Sequence, residues 1–116
     1  MNNKKVVDKV KTNWPVMVLL ILGLSTIDIE NGIMIFYYGD RSTKRAFMAA
    51  SDQIICMADS SKFNRTAFTR IASVDEIHTI ITDYKADPNE LEKYRKLGIE
   101  VLVAQEVPLP HGADPA

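Results

Sequence analysis

The segment Ile54-Ile55-Cys56-Met57-Ala58-Asp59-Ser60-Ser61-Lys62-Phe63 joins a short apolar run to a polar turn. Residues 54–58 are apolar throughout, which is typical of a parallel strand that is buried on both faces. The polar residues begin where this strand ends. In an open α/β sheet, ligands bind in the crevice beyond the carboxyl ends of the strands. The segment therefore predicts a central strand and, directly after it, a position for a small polar ligand.

The turn at residues 59–62 has side chains that suit an anion. Lys62 supplies a compact positive charge with three donors, which favours a phosphate group. Ser60 and Ser61 add hydroxyl donors, and backbone N–H groups of a turn can join them. The same residue types are also ordinary in turns and helix caps, where the lysine is simply solvated. The turn alone leaves both interpretations open.

The length and composition favour one soluble globular domain. The chain has 116 residues, 25% of them charged, and a net charge of -1, so it lacks the basic surplus of a nucleic-acid binder. The single cysteine, Cys56, cannot form an internal disulfide and fits a reducing compartment, so we predict a cytoplasmic protein. The two histidines, His78 and His111, are too few and too scattered for a metal site. We predict neither a metal nor another cofactor.

The N-terminal region places lysines before an apolar run, residues 16–22, in the manner of a secretory signal. The lysines are Lys4, Lys5, Lys9 and Lys11. The run is too short to span a bilayer and no convincing cleavage site follows it, so we interpret it as a core strand and predict no membrane association. Among the lysines, three valines form a weak helical stripe: Val6, Val7 and Val10.

Proline positions suggest how the chain is divided. Trp14-Pro15 marks a boundary, because the residue before a proline avoids helical geometry. We expect a basic N-terminal segment at 1–13, a domain at 14–106 and a flexible, proline-rich tail at 107–116.

The remaining elements follow from periodicity and capping signals. We expect extended segments at 33–37 and 67–71, strands at 77–82 and 99–104, a helix at 42–52 and a single helical turn at 73–76. A second helix begins after Asp87, with Pro88 at its first position, and ends before Gly98. In the first helix, Ala50 shares a face with Phe47, and we expect that face to pack on the sheet.

The alternation of strands and helices predicts an α/β fold with a mostly parallel sheet. Few elements are available, however, and nothing obvious covers the second face of the sheet. We therefore expect a partial three-layer arrangement, as if the chain were part of a larger sheet.

Several stretches, in this order, resemble the C-terminal effector domain of DeoR-type bacterial transcriptional regulators. They are LILGLSTID (residues 20–28), ENGI (30–33), KRAFMAAS (44–51) and ADSSKF (58–63), completed by IITD (80–83) and LGIEV (97–101). The resemblance covers residues 16–104. It implies a fold similar to ribose-5-phosphate isomerase and glucosamine-6-phosphate deaminase.

The resemblance also implies a function: a sensor that binds a phosphorylated sugar or related metabolite and thereby controls DNA binding by a helix-turn-helix domain. By this analogy, Lys62 faces the ligand while Asp59 and Ser61 shape the turn, and Ser60 is counted with them as ligand-binding. A second wall of the ligand site would come from residues 23–28, where Gly23, Ser25 and Asp28 are the candidates. Thr26 departs from the glycine that is often found in this wall.

Only thirteen residues precede Trp14, and no recognition helix fits in them. We therefore expect a C-terminal fragment that does not bind operator DNA by itself, is not an enzyme, and forms homo-oligomers as such regulators usually do. Two alternatives stay open. One is a sugar-phosphate isomerase-like enzyme with Asp28, Glu30 or Asp83 as its base. The other is a non-catalytic oligomerising module.

Overall fold

The computed structural model describes residues 19–36, 39 and 41–106. The expected basic segment at 1–13 and the expected tail at 107–116 lie outside these residues. In chain order, the elements are β1 (Leu19–Gly23), β2 (Thr26–Asp28), β3 (Gly32–Ile35), α1 (Arg41–Ala50), β4 (Gln53–Met57), β5 (Thr69–Ala72), β6 (Thr79–Asp83), α2 (Pro88–Lys96) and β7 (Glu100–Ala104). Two 3-10 turns, Ser60–Lys62 and Val74–Glu76, follow β4 and β5.

Four parallel strands form the main sheet, in the order β1-β4-β6-β7. Their register aligns one row of apolar side chains across the sheet, and all four are buried: Leu22, Cys56, Ile80 and Val101. These residues continue into a single core cluster with side chains from the connections between the strands. The prediction of an α/β fold with a mostly parallel sheet is confirmed.

A second, antiparallel sheet, β2-β3-β5, packs on that core. Its first hairpin turns at Asn31-Gly32, where the sequence indicates a turn, and Gly32 has a positive φ of 76°. Ile27 and Ile33 pair across the hairpin and are fully buried. The sequence predicted the turn and an extended segment after it, but not a separate sheet.

Both helices lie near their expected positions. Asp87 caps α2 by accepting a hydrogen bond from the Asn89 N–H at 2.9 Å, Pro88 begins the helix, and Gly98 follows it with a φ of 88°. The expected face of α1 is partly wrong. Ala50 is buried, but Phe47 is 53% exposed and Met48 is buried instead. The reason is that α1 also packs on β5, which brings Met48 into the core cluster.

Candidate functional site

The carboxyl ends of three parallel strands border an open depression of about 280 Å³. Since β4, β6 and β7 run in the same direction, the residues that end them meet at one edge of the sheet. The lining residues come from these three ends: Met57, Ala58, Asp59, Ile81, Thr82, Asp83 and Ala104. The depression thus has an apolar floor and a rim with two carboxylates.

Asp59 organises the turn that leaves β4. Its carboxylate accepts hydrogen bonds from the backbone N–H of Ser61, at 2.8 Å, and from the Ser61 hydroxyl. In this position Asp59 is the N-cap of the 3-10 turn Ser60–Lys62. These two hydrogen bonds, the side-chain bond first, lower the pKa of Asp59, and the positive charge of Lys62 lowers it further. The carboxylate is therefore ionised at neutral pH.

Asp83 ties the end of β6 to the turn after β4. One of its oxygens accepts a hydrogen bond from the Ser60 N–H and the other from the Lys85 N–H, both at 2.8 Å. These backbone hydrogen bonds lower the pKa of Asp83. Next to this tie, the Ala58 N–H donates to the Ile81 carbonyl at 3.0 Å and extends the strand pairing. The carboxylate thus fixes the rim of the depression.

Lys62 ends the 3-10 turn beside the depression, and neither it nor Ser60 or Ser61 is among the lining residues. Within the part of the chain that the structure describes, its ammonium makes no hydrogen bond or ion pair, although it is close enough to Asp59 to lower that pKa. The backbone N–H groups of the turn are different. Those of Ser60, Ser61 and Lys62 are all donated within the protein, to Asp83, the Asp59 side chain and the Asp59 carbonyl. The serine hydroxyls are also used, Ser60 on Asp83 and Ser61 on Asp59. The Lys62 ammonium is thus the side-chain donor of residues 59–62 that remains for an anion.

The residues expected to form a second wall are placed differently. Gly23 ends β1 in register with Met57, so it adjoins the depression. Ser25 donates its backbone N–H to the Met34 carbonyl, and the Asp28 carboxylate accepts a hydrogen bond from the Asn31 amide at 2.5 Å. Neither Ser25 nor Asp28 is among the lining residues. Both belong to the hairpin segment of the second sheet.

Sequence reasoning missed the apolar lining and left Asp83 out of the ligand-binding residues, naming it only as a candidate base of the isomerase-like alternative. Asp83 carries the same signal as Asp59, a polar residue directly after a buried strand, and could have been included on that ground. Met57, Ile81 and Ala104 could not, because their side chains are recognised as lining only when the register of the strands is known.

Several chemistries have no support here. Burial raises the pKa of the Cys56 thiol to about 12, so this thiol is not a nucleophile at neutral pH. No cluster of His, Cys, Asp and Glu that could hold a metal ion is found among the described residues. Within the same residues, neither helix is long and apolar enough to cross a membrane. Among the described residues, the site offers the Lys62 ammonium and the ionised carboxylates of Asp59 and Asp83, which is a set for binding.

Comparison with known proteins agrees with the family resemblance that the sequence shows. The model of a family described as the DeoR C-terminal sensor domain matches residues 12–84. The HTH-type transcriptional regulator GlpR of Haloferax volcanii is 30% identical over 84 residues, 72% of this chain and 33% of its own. The HTH-type transcriptional repressor GlcR of Bacillus subtilis is 31% identical over 86 residues, 74% of this chain and 32% of its own.

A third relative is the glycerol-3-phosphate regulon repressor of Escherichia coli K12. It is 35% identical over 63 residues, which are 54% of this chain and 25% of its own. The chain thus spans between a quarter and a third of the length of these relatives.

Proposed function

Because the chain belongs to the family of DeoR C-terminal sensor domains, we propose that it is the effector-sensing part of a transcriptional regulator. We propose further that the effector is a phosphorylated sugar or a related metabolite. It would bind in the depression at the carboxyl ends of β4, β6 and β7. In this proposal, DNA is bound by a separate helix-turn-helix domain and not by the described residues.

The observation that carries this proposal is the free ammonium of Lys62 beside a depression with polar rim and apolar floor. A phosphate group needs a cation here, because Asp59 and Asp83 are ionised and repel it. Lys62 is the turn's only cation among the described residues 58–63. The phosphate would therefore bind on the Lys62 side of the rim, because the Ser60 hydroxyl is hydrogen-bonded to Asp83.

The carboxylates have a complementary role in this proposal. Ionised carboxylates accept hydrogen bonds strongly, and sugar hydroxyls are donors. Asp83 uses one lone pair of each oxygen for a backbone N–H and a further one for the Ser60 hydroxyl, so one lone pair remains for a ligand hydroxyl. A ligand with hydroxyls at one end and a phosphate at the other would match Asp83 and Lys62, respectively. This arrangement predicts that an unphosphorylated sugar binds much more weakly.

We favour a regulator over the isomerase-like alternative. The relatives are named as transcriptional regulators and repressors. In addition, the candidate base Asp28 does not line the depression and is hydrogen-bonded to Asn31. Asp83 does line it, but its lowered pKa makes it a weak base at neutral pH. Aldose–ketose isomerisation of ribose 5-phosphate by the purified chain would contradict this choice.

Thermal unfolding with a panel of phosphorylated sugars, glycerol 3-phosphate and their unphosphorylated counterparts tests the ligand. A compound that binds only the folded chain raises the unfolding midpoint. We expect one or more phosphorylated compounds to do so, and Lys62→Ala to abolish the increase. Lys96→Ala is the matched control, because Lys96 ends α2 at the opposite end of the sheet and is exposed. A cooperative transition that no phosphorylated compound raises, or an equal loss in both variants, would contradict the proposal.

A further inference from the structure

Two phenylalanines form an exposed pair at one end of the second sheet. The register of β3 and β5 places Ile35 opposite Thr69, and the next residues along are Phe36 and Phe68. Their rings meet edge to face, with the ring centroids 5.8 Å apart. Phe36 is nevertheless 58% exposed and Phe68 84% exposed. Single exposed apolar residues are ordinary, but two large ones in contact make a continuous apolar patch that is available to another molecule.

The alternation of side chains along the two strands explains why this pair is not buried. Ile35 and Ile71 belong to the core cluster. Successive side chains of a strand point to opposite faces of a sheet. Phe36 follows Ile35, and Arg70 precedes Ile71, so both residues are directed away from the core. Arg70 is accordingly exposed, and it lies two residues after Phe68. The sequence therefore directs aromatic and cationic side chains to the same outer region.

Hydrogen bonds hold two arginines in this region. Arg41, the first residue of α1, donates its Nε–H to the Arg70 carbonyl at 2.9 Å. The Arg70 Nη2 donates to the Ser73 hydroxyl at 2.6 Å. A guanidinium has five N–H donors, so each of these groups is fixed in place while other donors remain for an outside acceptor. Aromatic residues and arginine are the residue types that are enriched in protein interfaces.

The charges of these two arginines are not balanced within the part of the chain that the structure describes. Neither Arg41 nor Arg70 forms an ion pair with another described residue, whereas Arg45 is paired with Glu76 at 2.7 Å. Carboxylates accept paired hydrogen bonds from a guanidinium and match its charge. The chemistry that complements this region is therefore an acidic group next to an apolar one.

We propose that the aromatic–arginine patch, formed by Phe36, Phe68, Arg41 and Arg70, is a docking surface for an acidic segment of another protein. An apolar side chain of that segment packs against the two rings, and its flanking carboxylates bind the two guanidinium groups. None of the four residues lines the depression. The proposal is thus independent of which ligand binds there.

Three other occupants fit this patch less well. A second copy that used the same patch would bring arginines against arginines. Nucleic-acid bases stack on flat ring faces, but these rings cross at 75° and one presents its edge to the other. A strand added to the edge of β5 would need the carbonyls of Arg70 and Ile71, which already accept hydrogen bonds from Arg41 and Arg45.

Fluorescence anisotropy of labelled synthetic peptides with the full 116-residue chain tests the proposal. The probes are acidic peptides that each carry one phenylalanine, tryptophan or leucine between aspartates and glutamates. The same peptides with lysines in place of the acidic residues are the controls. We expect at least one acidic peptide to bind, added salt to weaken its binding, and the lysine peptides not to bind. If no acidic peptide binds, or if the lysine peptides bind equally well, the proposal is wrong.

A matched pair of apolar variants locates the binding. Phe68→Ser removes an exposed ring of the patch, and Leu97→Ser removes a side chain that is 55% exposed after α2. Both residues are largely outside the core, so we expect both variants to stay folded. Phe68→Ser should weaken binding of the acidic peptide about tenfold or more, and Leu97→Ser should leave it unchanged. Equal losses in the two variants would overturn the proposal.

A second pair tests the charge. Arg70→Gln removes one positive charge but keeps an amide that can donate to the Ser73 hydroxyl, and Lys96→Gln removes the same charge from the end of α2. We expect Arg70→Gln to weaken binding about fivefold and to reduce its salt dependence, while Lys96→Gln does neither. Light scattering and a labelled single-stranded oligonucleotide test the other occupants. Dimerisation or oligonucleotide binding that Phe68→Ser abolishes would overturn the proposal.

Discussion

The backbone N–H of Ser60 donates a hydrogen bond to the Asp83 carboxylate at 2.8 Å, and this bond joins the turn after β4 to the end of β6. The two residues are 23 positions apart in sequence. The same carboxylate also accepts a hydrogen bond from the backbone N–H of Lys85. Asp83 thus holds two loops at the edge where the proposed ligand binds.

Replacement of Asp83 by Asn should destabilise the chain. The Asn carbonyl oxygen can accept a hydrogen bond in place of one carboxylate oxygen, but its amino group would face an N–H donor. We expect a lower unfolding midpoint at pH 7 by calorimetry. Asp87→Asn is the matched control, because Asn is as good an N-cap as Asp and should leave the midpoint nearly unchanged. Equal midpoints for the two variants would contradict the role given to Asp83.

The lowered pKa values of Asp59 and Asp83 predict a dependence of stability on acid. A carboxyl group with a lowered pKa in the folded state contributes stability above its unfolded pKa, and that contribution is lost as the pH falls towards the folded pKa. We therefore expect the urea midpoint to fall between about pH 5 and pH 3. The fall should be shallower in Asp83→Asn. Parallel acid curves for the two proteins would show that Asp83 does not contribute.

An ion pair between Arg45 and Glu76 links α1 to the 3-10 turn after β5. The Arg45 Nη1 lies 2.7 Å from Glu76 Oε1, and Glu76 Oε2 accepts the Ser73 N–H at 2.8 Å. Partial burial would by itself raise the pKa of Glu76, but the hydrogen bonds from Arg45 and Ser73 outweigh it and the pKa is lowered. Both side chains are about one-third exposed, so solvent weakens the attraction.

A double-mutant cycle with Arg45→Ala and Glu76→Ala measures this pair. We expect a coupling energy of about 0.5–1 kcal/mol that decreases with added salt. The control is the pair Arg95 and Glu92, whose atoms lie 3.9 Å apart and which is more exposed. Its coupling should be smaller. A larger coupling for the control would contradict the stronger attraction assigned to Arg45 and Glu76.

The sequence predicted well those elements that local signals define. The α2 helix has its N-cap, its proline and its terminal glycine within a dozen residues, and β4 is a continuous apolar run. The β2 strand was not predicted because it has only three residues and is defined by pairing with β3. The face of α1 was misassigned because burial of Met48 rather than Phe47 depends on the position of β5.

The candidate site shows the same contrast between features that local sequence signals predict and features that depend on the pairing of distant strands. The polar turn at Asp59–Lys62 and the acidic residue Asp83 are visible in the sequence as polar residues after apolar strands. The hydrogen bond between Asp83 and Ser60 is not visible, because it depends on β4 and β6 being adjacent. The sequence also suggested free backbone donors in the turn, but the fold uses them internally.

Replacement of three glycines by alanine should destabilise the chain to different extents, because their surroundings differ. At Gly32 the φ is 76° and an added Cβ would lie 2.1 Å from the Ala72 carbonyl oxygen, a backbone atom that cannot move away easily. Gly98 has a φ of 88° but open space around it, and Gly23 has open space and no positive φ. We expect Gly32→Ala to cost more than about 3 kcal/mol, Gly98→Ala about 1 kcal/mol and Gly23→Ala less than about 0.5 kcal/mol. Chemical denaturation measures the three free energies of unfolding and hence their order. Equal costs at Gly98 and Gly32 would show that the contact with Ala72 is not decisive.

His78 supports the start of the main sheet through its imidazole. The buried Ile54 donates its backbone N–H to His78 Nδ1 at 3.0 Å. The backbone N–H of His78 in turn donates to the Ile54 carbonyl. An acceptor at Nδ1 requires that this nitrogen carry no proton. Removing the imidazole leaves the buried Ile54 N–H without its acceptor. We therefore expect His78→Leu to cost about 1–2 kcal/mol.

Asn is the informative second variant at this position, because its Oδ1 lies where Nδ1 of His lies and can accept the same hydrogen bond. His78→Asn should keep most of the stability that His78→Leu loses. Amide hydrogen exchange of Ile54 measures the bond directly, and its protection should fall in His78→Leu and persist in His78→Asn. Unchanged protection in both variants would mean that the imidazole does not hold this strand.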